Sequence, residues 1–318
     1  MKTNLKKRSK LVAGIDEAGR GPLAGPVVAA AVILPEKHFI VGLRDSKKLS
    51  QKKKKILYKK IKKESISVGI GIIGVETIDK LNIKEATTYA MKAAVKNLKV
   101  KPDELLIDGF PLDTQEIPNE GIIGGDDLID SIKAASIIAK VTRDRIMLEY
   151  SKIFPEYAFE NHFGYGTKKH MDVLKQYGST PIHRRSYKPV KENMPTFEWL
   201  REKKLLAWMG KKLAALFIKN NGLYIREIDK RVGEITIDIV AEDHLKQIFI
   251  FVETIIKRNQ IDFQSKPKKK IGSSIKNIIE KTARESDEKH DIRIDLIIVK
   301  FLGDGKPIID HHQNINSF

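Results

Sequence analysis

Residues 11–25 read LVAGIDEAGRGPLAG, in which a short apolar segment leads into two adjacent acids and then into a glycine-rich turn. A second apolar segment, residues 27–34, follows, so the pattern predicts a β-hairpin. Carboxylates are rarely buried unless they are paired or hold a cation. Asp16 and Glu17 therefore indicate either the start of a solvated loop or one side of a metal site.

Further acids follow apolar runs elsewhere in the chain. Residues 105–107 lead into Asp108, and residues 122–125 lead into Asp126 just before a long helical pattern. If the run at 105–107 lies beside the first strand, about 4.8 Å away, Asp16 and Asp108 can share metal ions, and Asp126 can close the site. Carboxylate oxygens favour Mg²⁺ or Mn²⁺. Zinc fits poorly, because the chain has no cysteine and its histidines lack the short paired spacing of zinc sites.

Composition limits the class of protein. A chain of 318 residues allows one large or two moderate domains. Its 59 Lys and Arg against 41 Asp and Glu give a net charge of +18, which favours a polyanionic partner, nucleic acid ahead of a membrane surface. The longest apolar stretch, residues 27–34, is far below the roughly 18 residues of a spanning helix. The absence of cysteine fits a reducing compartment, and we expect a cytoplasmic location.

The order of strand and helix patterns predicts an α/β layer with a mixed sheet, followed by a second, smaller α/β domain. The predicted strands are at 11–15, 27–34, 66–74, 105–107, 122–123, 233–241, 247–256 and 292–299, and the predicted helices at 52–63, 82–98, 128–154, 209–221 and 273–282. Regularity is lost after Pro181. We therefore expect domains at 1–195 and 209–318, joined by a linker at 196–208.

The motif GIDEAGRGPLAGP at residues 14–26 resembles the opening motif of the ribonuclease HII family. Further blocks extend the resemblance over residues 11–190 in the family's order: DSKKLS at 45–50, IDG at 107–109, AASIIAKVTRDR at 134–145, GYGTKKH at 164–170 and PIHR at 181–184. The resemblance implies a ribonuclease H-like mixed sheet with flanking helices. It also implies an endonuclease that cuts the RNA strand of RNA–DNA hybrids and cuts 5′ of ribonucleotides embedded in duplex DNA, leaving 5′-phosphate and 3′-hydroxyl ends.

Carried over by position, the resemblance implies that Asp16, Glu17, Asp108 and Asp126 are catalytic and hold two Mn²⁺ or Mg²⁺ ions. Asp126 is preferred to Asp127 because it directly follows the glycine of the motif. One departure stands next to this position: Gly124 replaces the family's usual lysine, and Leu128 and Ile129 follow Asp127. Asp144 is interpreted as part of a structural ion pair, since it lies inside a helix between Arg143 and Arg145.

The resemblance also implies substrate-binding residues, namely Gly19, Arg20, Gly21, Lys47 and Tyr165. A glycine backbone can approach the minor groove closely and sense the 2′-hydroxyl that distinguishes RNA from DNA. Tyr165 would stack on the sugar of the following deoxynucleotide. A non-catalytic hybrid-binding protein is the alternative, but four acids at one site favour an enzyme. The sequence indicates no particular protein partner.

Residues 209–318 resemble, less closely, the YraN family of predicted nuclease-like proteins. The likeness rests on GEI at 233–235, DIVA at 238–241, FVE at 251–253, ID at 294–295 and residues 312–318. It implies a restriction-endonuclease-like fold, in which an Asp and a Glu-x-Lys motif bind metal. Asp238 and Glu253 are the candidate acids, and Lys257 is the candidate lysine, because Ile255 occupies the usual position. We favour a nucleic-acid-binding or vestigial module, supported by the lysine-rich residues 266–270, over a second active nuclease or a purely stabilising domain.

Overall fold

A computed structural model of the chain describes residues 10–44, 46–113, 116–232, 235–257, 291–303 and 305–315. Packing divides the chain into two compact units. The first comprises Met1–Leu148, Glu160–Met171 and Ile182–Glu192, and the second comprises Glu149–Phe159, Asp172–Pro181 and Asn193–Phe318. Successive segments of residues 149–192 therefore belong in turn to the second and the first unit, because some of them pack with later parts of the chain. The sequence predicted a single boundary near residue 195.

The first unit is built on a mixed sheet. Its strands are β1 (Val12–Ala18), β2 (Val27–Ile33), β3 (Ser67–Ile73), β4 (Glu104–Asp108) and β5 (Asn119–Ile122), in the spatial order β3-β2-β1-β4-β5. The first three strands pair antiparallel, and β4 and β5 extend the sheet in parallel with β1. The predicted hairpin and the predicted neighbours β1 and β4 are confirmed.

Helices cover both faces of this sheet. The helical elements between residues 46 and 191 are a 3₁₀ turn (Ser46–Lys48), α1 (Gln51–Glu64), α2 (Val75–Leu81), α3 (Ile83–Lys96), α4 (Gly125–Leu128), α5 (Asp130–Ile153), a second 3₁₀ turn (Pro155–Tyr157), α6 (Phe159–His162), α7 (Lys168–Tyr177) and α8 (Lys188–Lys191). One core joins the sheet to α2 and α3, and another joins it to α1 and α5, so β2 is buried throughout. The helix predicted at 128–154 corresponds to α5, whereas the short α4, which ends just before Ile129, was not predicted.

Successive side chains of β1 point to opposite faces of the sheet, so Asp16 and Glu17 lie on different sides. Asp16 pairs with Ala30, which packs into the core under α1 and α5, whereas Glu17 pairs with Ala29 in the core under α2 and α3. The start of α5 also lies directly on β1, because a Cβ on Gly14 would fall 2.2 Å from the main-chain carbon of Ser131. This close approach brings α5 to the Asp16 face.

The second unit carries its own sheet. It contains α9 (Phe197–Glu202), α10 (Leu206–Asn220), β6 (Tyr224–Val232), β7 (Ile235–Asp243), β8 (Ile248–Lys257), β9 (Asp291–Lys300) and β10 (Ile308–His312), with strand order β10-β9-β8-β7-β6. Strands β8 and β9 pair in parallel, and α10 packs against the sheet. The predicted linker at 196–208 contains α9, and β6 and β10 were not predicted. The predicted helix at 273–282 and the basic residues 266–270 lie outside the described residues.

The helices of the described residues are short or polar relative to the hydrocarbon core of a bilayer. None of them is both long enough and apolar enough to cross a membrane.

Candidate metal centre

Three aspartates converge at one edge of the first sheet. Asp16 of β1, Asp108 at the end of β4 and Asp126 in the first turn of α4 each offer a carboxylate oxygen, and these oxygens lie within 4.8 Å of one another. Strands β1 and β4 are parallel neighbours, with Ile15 beside Ile107, so the residues that follow them reach the same edge. The structure thus brings together three of the four predicted acids, from stretches far apart in the sequence.

Glu17 lies outside this group of three. Successive side chains of a strand point to opposite faces, and β1 turns Asp16 and Glu17 to different sides of the sheet. Burial raises the pKa of Glu17, the charge of Asp108 adds to the rise, and Arg20 opposes it. Arg20 Nη1 lies 3.5 Å from Glu17 Oε1.

Asp16 is the most constrained of the three. Its side chain is buried, and burial raises its pKa well above the ordinary value, with further contributions from the charges of Glu17 and Asp108. Hydrogen bonds from the Ser136 side chain and from the amide of Glu17, 2.6 Å away, act in the opposite direction. Carboxylates this close repel one another when ionised. A divalent cation would remove the repulsion, and an all-oxygen donor set fits Mg²⁺ or Mn²⁺.

Two lysines of the first 3₁₀ turn border the cluster. Lys47 Nζ lies 3.4 Å from Asp126 Oδ2, and Lys48 Nζ lies 2.6 Å from both carboxylate oxygens of Asp127. Asp127 is exposed, whereas Asp126 is buried in the cluster. Next to them, Leu128 is 68% exposed, so the departure from the family's pattern places an apolar side chain on the surface beside the site.

The glycine-rich turn lies beside Tyr165, another of the predicted substrate-binding residues. Gly19 is buried, while Arg20 and Gly21 are exposed. A Cβ built on Gly21 would lie 3.6 Å from Tyr165 Cε1, and the tyrosine is 45% exposed. The structure therefore brings Gly21 and Tyr165 side by side on the surface of the first unit.

In the second unit, Asp238 is held by neighbours that the sequence did not identify. Thr254 donates to Asp238 Oδ2 through its amide and its hydroxyl, each at 2.8 Å, and Lys211 Nζ lies 2.8 Å from Oδ1. Lys211, on α10, also pairs with Asp229. Burial raises the pKa of Glu253, and the charge of Asp238 adds to this. Lys257 is buried at the end of β8.

Sequence reasoning missed several buried polar residues of the first unit. Asp144 forms an ion pair with Lys140 at 2.6 Å, as the structural interpretation predicted, and it also accepts from Gln51 at 3.3 Å, a partner that the sequence did not identify. Arg143 and Arg184 are fully buried and donate to main-chain carbonyls. Arg143 lies in the motif at 134–145 and Arg184 in the motif at 181–184. Because arginine is usually exposed, the sequence did not predict that they are buried.

An all-oxygen carboxylate cluster at the edge of a mixed α/β sheet is typical of metal-dependent phosphodiester hydrolases, and the chain is an enzyme of this class. More narrowly, it belongs to the ribonuclease HII family, whose model matches residues 13–190. This assignment makes the chain a metal-dependent endonuclease of the ribonuclease H type. The match includes all three clustered aspartates.

Individual relatives agree with this assignment. The ribonuclease HII of Enterococcus faecalis is 54% identical over 187 residues, which cover 59% of this chain and 73% of that protein. The ribonuclease HII of Bacillus cytotoxicus is 54% identical over 181 residues, covering 57% and 70%. The crystal structure of ribonuclease H2 from Pyrococcus horikoshii OT3 superposes with a TM-score of 0.50 at 28% identity, covering 57% of this chain and 96% of that one.

Proposed function

We propose that this chain hydrolyses the RNA strand of RNA–DNA hybrids and cuts duplex DNA on the 5′ side of embedded ribonucleotides, leaving 5′-phosphate and 3′-hydroxyl ends. The observation that carries the proposal is the group of three aspartate oxygens within 4.8 Å of one another. Relatives named ribonuclease HII support it. The net charge of +18 suits a polyanionic substrate.

In this proposal Asp16, Asp108 and Asp126, with Glu17 as a fourth ligand, hold two divalent ions, Mn²⁺ or Mg²⁺. Such ions would offset the charge that develops on the phosphate and on the leaving oxygen. The protein contributes the fixed positions of the carboxylates, and no nucleophilic side chain is required. Hydrogen bonds from Ser136 and from the Glu17 amide keep Asp16 oriented.

Substrate recognition is assigned to Gly19, Arg20, Gly21, Lys47 and Tyr165. The exposed main chain at Gly21 has no side chain to hinder a minor groove, so it can reach the 2′-hydroxyl. Tyr165 presents part of its ring next to Gly21, where a sugar can stack. Lys47 adds positive charge beside the acids, where the scissile phosphate would lie.

A non-catalytic hybrid-binding protein is the competing function. Without metal, three adjacent carboxylates would repel a phosphate, which favours the enzyme. The test is cleavage of a DNA duplex carrying one ribonucleotide, with and without Mn²⁺ or Mg²⁺, by the wild type and by Asp108→Asn. We expect metal-dependent cleavage that is lost in the variant. Cleavage retained by Asp108→Asn would remove this residue from the mechanism, and tight binding without any cleavage by the wild type would favour the competing function.

For the second unit, we propose a nucleic-acid-binding module with a restriction-endonuclease-like, YraN-type fold rather than a second nuclease. Both carboxylate oxygens of Asp238 are already engaged by Lys211 and Thr254, which leaves little capacity for a metal. The double variant Asp238→Asn, Glu253→Gln should therefore leave all cleavage unchanged. A metal-dependent activity on DNA without ribonucleotides that this variant loses would establish a second active nuclease instead.

A further inference from the structure

Two buried arginines hold the glycine-rich turn from behind. Arg143 of α5 and Arg184, between α7 and α8, both have 0% exposure. Burying a charged side chain is costly unless its donors are satisfied, and a guanidinium has five N–H donors in a fixed, planar arrangement. The partners of these donors therefore show what each arginine does in the folded chain.

Arg184 binds the turn at both of its ends. Its Nη1 donates to the carbonyl of Arg20 over 2.7 Å, and its Nη2 donates to the carbonyl of Gly19. Its Nε and Nη2 also donate to the carbonyl of Gly25, at 3.1 and 3.0 Å. The hydroxyl of Tyr187 completes the arrangement, because it accepts from Arg184 Nη1 at 3.0 Å and donates to the Arg20 carbonyl at 2.7 Å.

Arg143 joins the same turn to the segment that carries Tyr165. Its Nη2 donates to the carbonyl of Ala24 and its Nε to that of Pro26, while its Nη1 donates to the carbonyl of Phe163, each at 3.0 Å. The amide of Leu23 also donates to the carbonyl of Gly164 over 2.8 Å, which is a second connection between the two segments. The turn and the Tyr165 segment are therefore fixed to one another by the Arg143 guanidinium together with this main-chain bond.

The glycines of the turn allow the arginines this position. Gly19 and Gly25 have positive φ angles of 100° and 83°, which favour glycine. A Cβ on Gly19 would lie 2.1 Å from Arg143 Nε, so the turn rests directly on the guanidinium. On the other side of the turn, Gly21 is exposed and adjoins Tyr165. The inner side is thus bound to arginine, and the outer side is free for a ligand.

We propose that Arg143 and Arg184 are positioning residues that set the preference for ribonucleotides, by fixing the main chain at Gly19–Gly21 and its distance from Tyr165. The inference rests on the proposed function, in which this surface senses the 2′-hydroxyl. Neither arginine touches the nucleic acid. Lysine cannot replace them, because an ammonium has three donors on one atom and cannot reach carbonyls spread across a turn.

The test is the ratio of two dissociation constants, that for an all-DNA duplex divided by that for the same duplex with one ribonucleotide. Asp108→Asn serves as the background, so that bound duplex stays intact. In that background Arg143→Lys and Arg184→Lys should each lower the ratio about tenfold, because hydrogen bonds from a charged group are lost. The affinity for the all-DNA duplex should change less than about twofold. The matched controls Arg145→Lys and Arg185→Lys, which alter exposed arginines beside the buried ones, should keep the ratio.

Circular dichroism and thermal unfolding show whether each lysine variant folds. If either fails to fold, Tyr187→Phe decides the question, because it removes one hydroxyl from the same arrangement and should lower the ratio about threefold. Folded variants that all retain the wild-type ratio would overturn the inference. A wild type that prefers the ribonucleotide duplex but never cuts it would contradict only the proposed function, so the two failures are distinguishable.

Discussion

The amide of Asp126 donates to Oδ1 of Asp108 over 3.4 Å, so the first turn of α4 is joined to the end of β4 through a carboxylate of the cluster. With its main chain held there, Asp126 turns its side chain into the cluster. The next residue, Asp127, turns to solvent and pairs with Lys48. Two adjacent aspartates thus have different environments, and each serves as a control for the other.

Asp126→Asn should lower metal-dependent cleavage at least about 100-fold, since the loss of a mere outer-shell partner of a metal site already costs 10–100-fold. Asp127→Asn removes the same charge from the neighbouring residue but should leave the rate within about twofold, because exposed ion pairs contribute little. The measurement is the initial rate on a duplex with one ribonucleotide. Equal losses in both variants would contradict the assignment of Asp126 alone to the cluster.

Tyr165 is expected to act through its ring rather than its hydroxyl. Tyr165→Ala should weaken substrate binding by about 1 kcal/mol, the lower end of the range for aromatic stacking on a base, because the ring meets a sugar instead, whereas Tyr165→Phe should bind as the wild type does. Steady-state KM and kcat on the single-ribonucleotide duplex separate binding from catalysis. A loss in Tyr165→Phe as large as that in Tyr165→Ala would assign the effect to the hydroxyl.

His170 should make the first unit less stable in mild acid. Its Nδ1 donates to the Tyr165 carbonyl at 2.9 Å, and its Nε2 faces Nε2 of His183 at 3.0 Å. Burial, with a contribution from the charge of His162, lowers the pKa of His170 from 6.5 to about 4. The unfolded chain therefore binds more protons than the folded chain between these values, so stability is full above pH 6.5 and falls as the pH drops toward 4.

The predicted loss in the free energy of unfolding between pH 7 and pH 5 is about 2 kcal/mol. Urea denaturation at the two pH values measures it. The comparison is with His170→Gln, which cannot take up the proton, so that the contributions of all other groups cancel. The variant should show a smaller difference between the two pH values, and an unchanged difference would assign the pH dependence to other groups.

Lys211 should stabilise the second unit. Burial lowers its pKa, but the hydrogen bonds and charges of Asp229 and Asp238 outweigh burial, so the pKa lies above its ordinary value. Lys211→Met leaves these acids without their shared cation and should cost about 1–3 kcal/mol of stability. Adding Asp238→Asn should recover part of the loss. Thermal unfolding measures both effects, and an unchanged melting temperature in Lys211→Met would show that the pairing is energetically neutral.

The lysines at 266–270 should contribute to the salt dependence of binding. If Lys268, Lys269 and Lys270 each contact a phosphate, the triple change to glutamine should reduce the slope of log K against log salt by up to about 0.9 per contact. The cleavage position should not change. The control is the same change at three exposed lysines of α3, Lys84, Lys92 and Lys96. Equal effects from both triple variants would show only a general effect of net charge.

Local patterns in the sequence were sufficient for most elements of the first sheet. The run of apolar residues on either side of the glycine-rich turn predicted β1 and β2, and their pairing is antiparallel as expected. Strand β6 was missed, because Tyr224–Val232 alternates with charged residues and resembles a loop. The alternation of packing units along residues 149–192 was also missed, since which segments pack together is not a local property.

The sequence alone determined the family, the three aspartates and the glycine-rich turn, because residue types at fixed spacing specify the chemistry that a site can perform. Only the tertiary structure decided that Asp16, Asp108 and Asp126 meet while Glu17 lies outside their group, that Lys211 reaches Asp238, and that Arg143 and Arg184 lie buried behind the turn. The physical reason is that side-chain direction, burial and hydrogen-bond partners depend on which distant segments pack together. A charged residue in a sequence motif gives no indication of whether it meets solvent or a row of carbonyls.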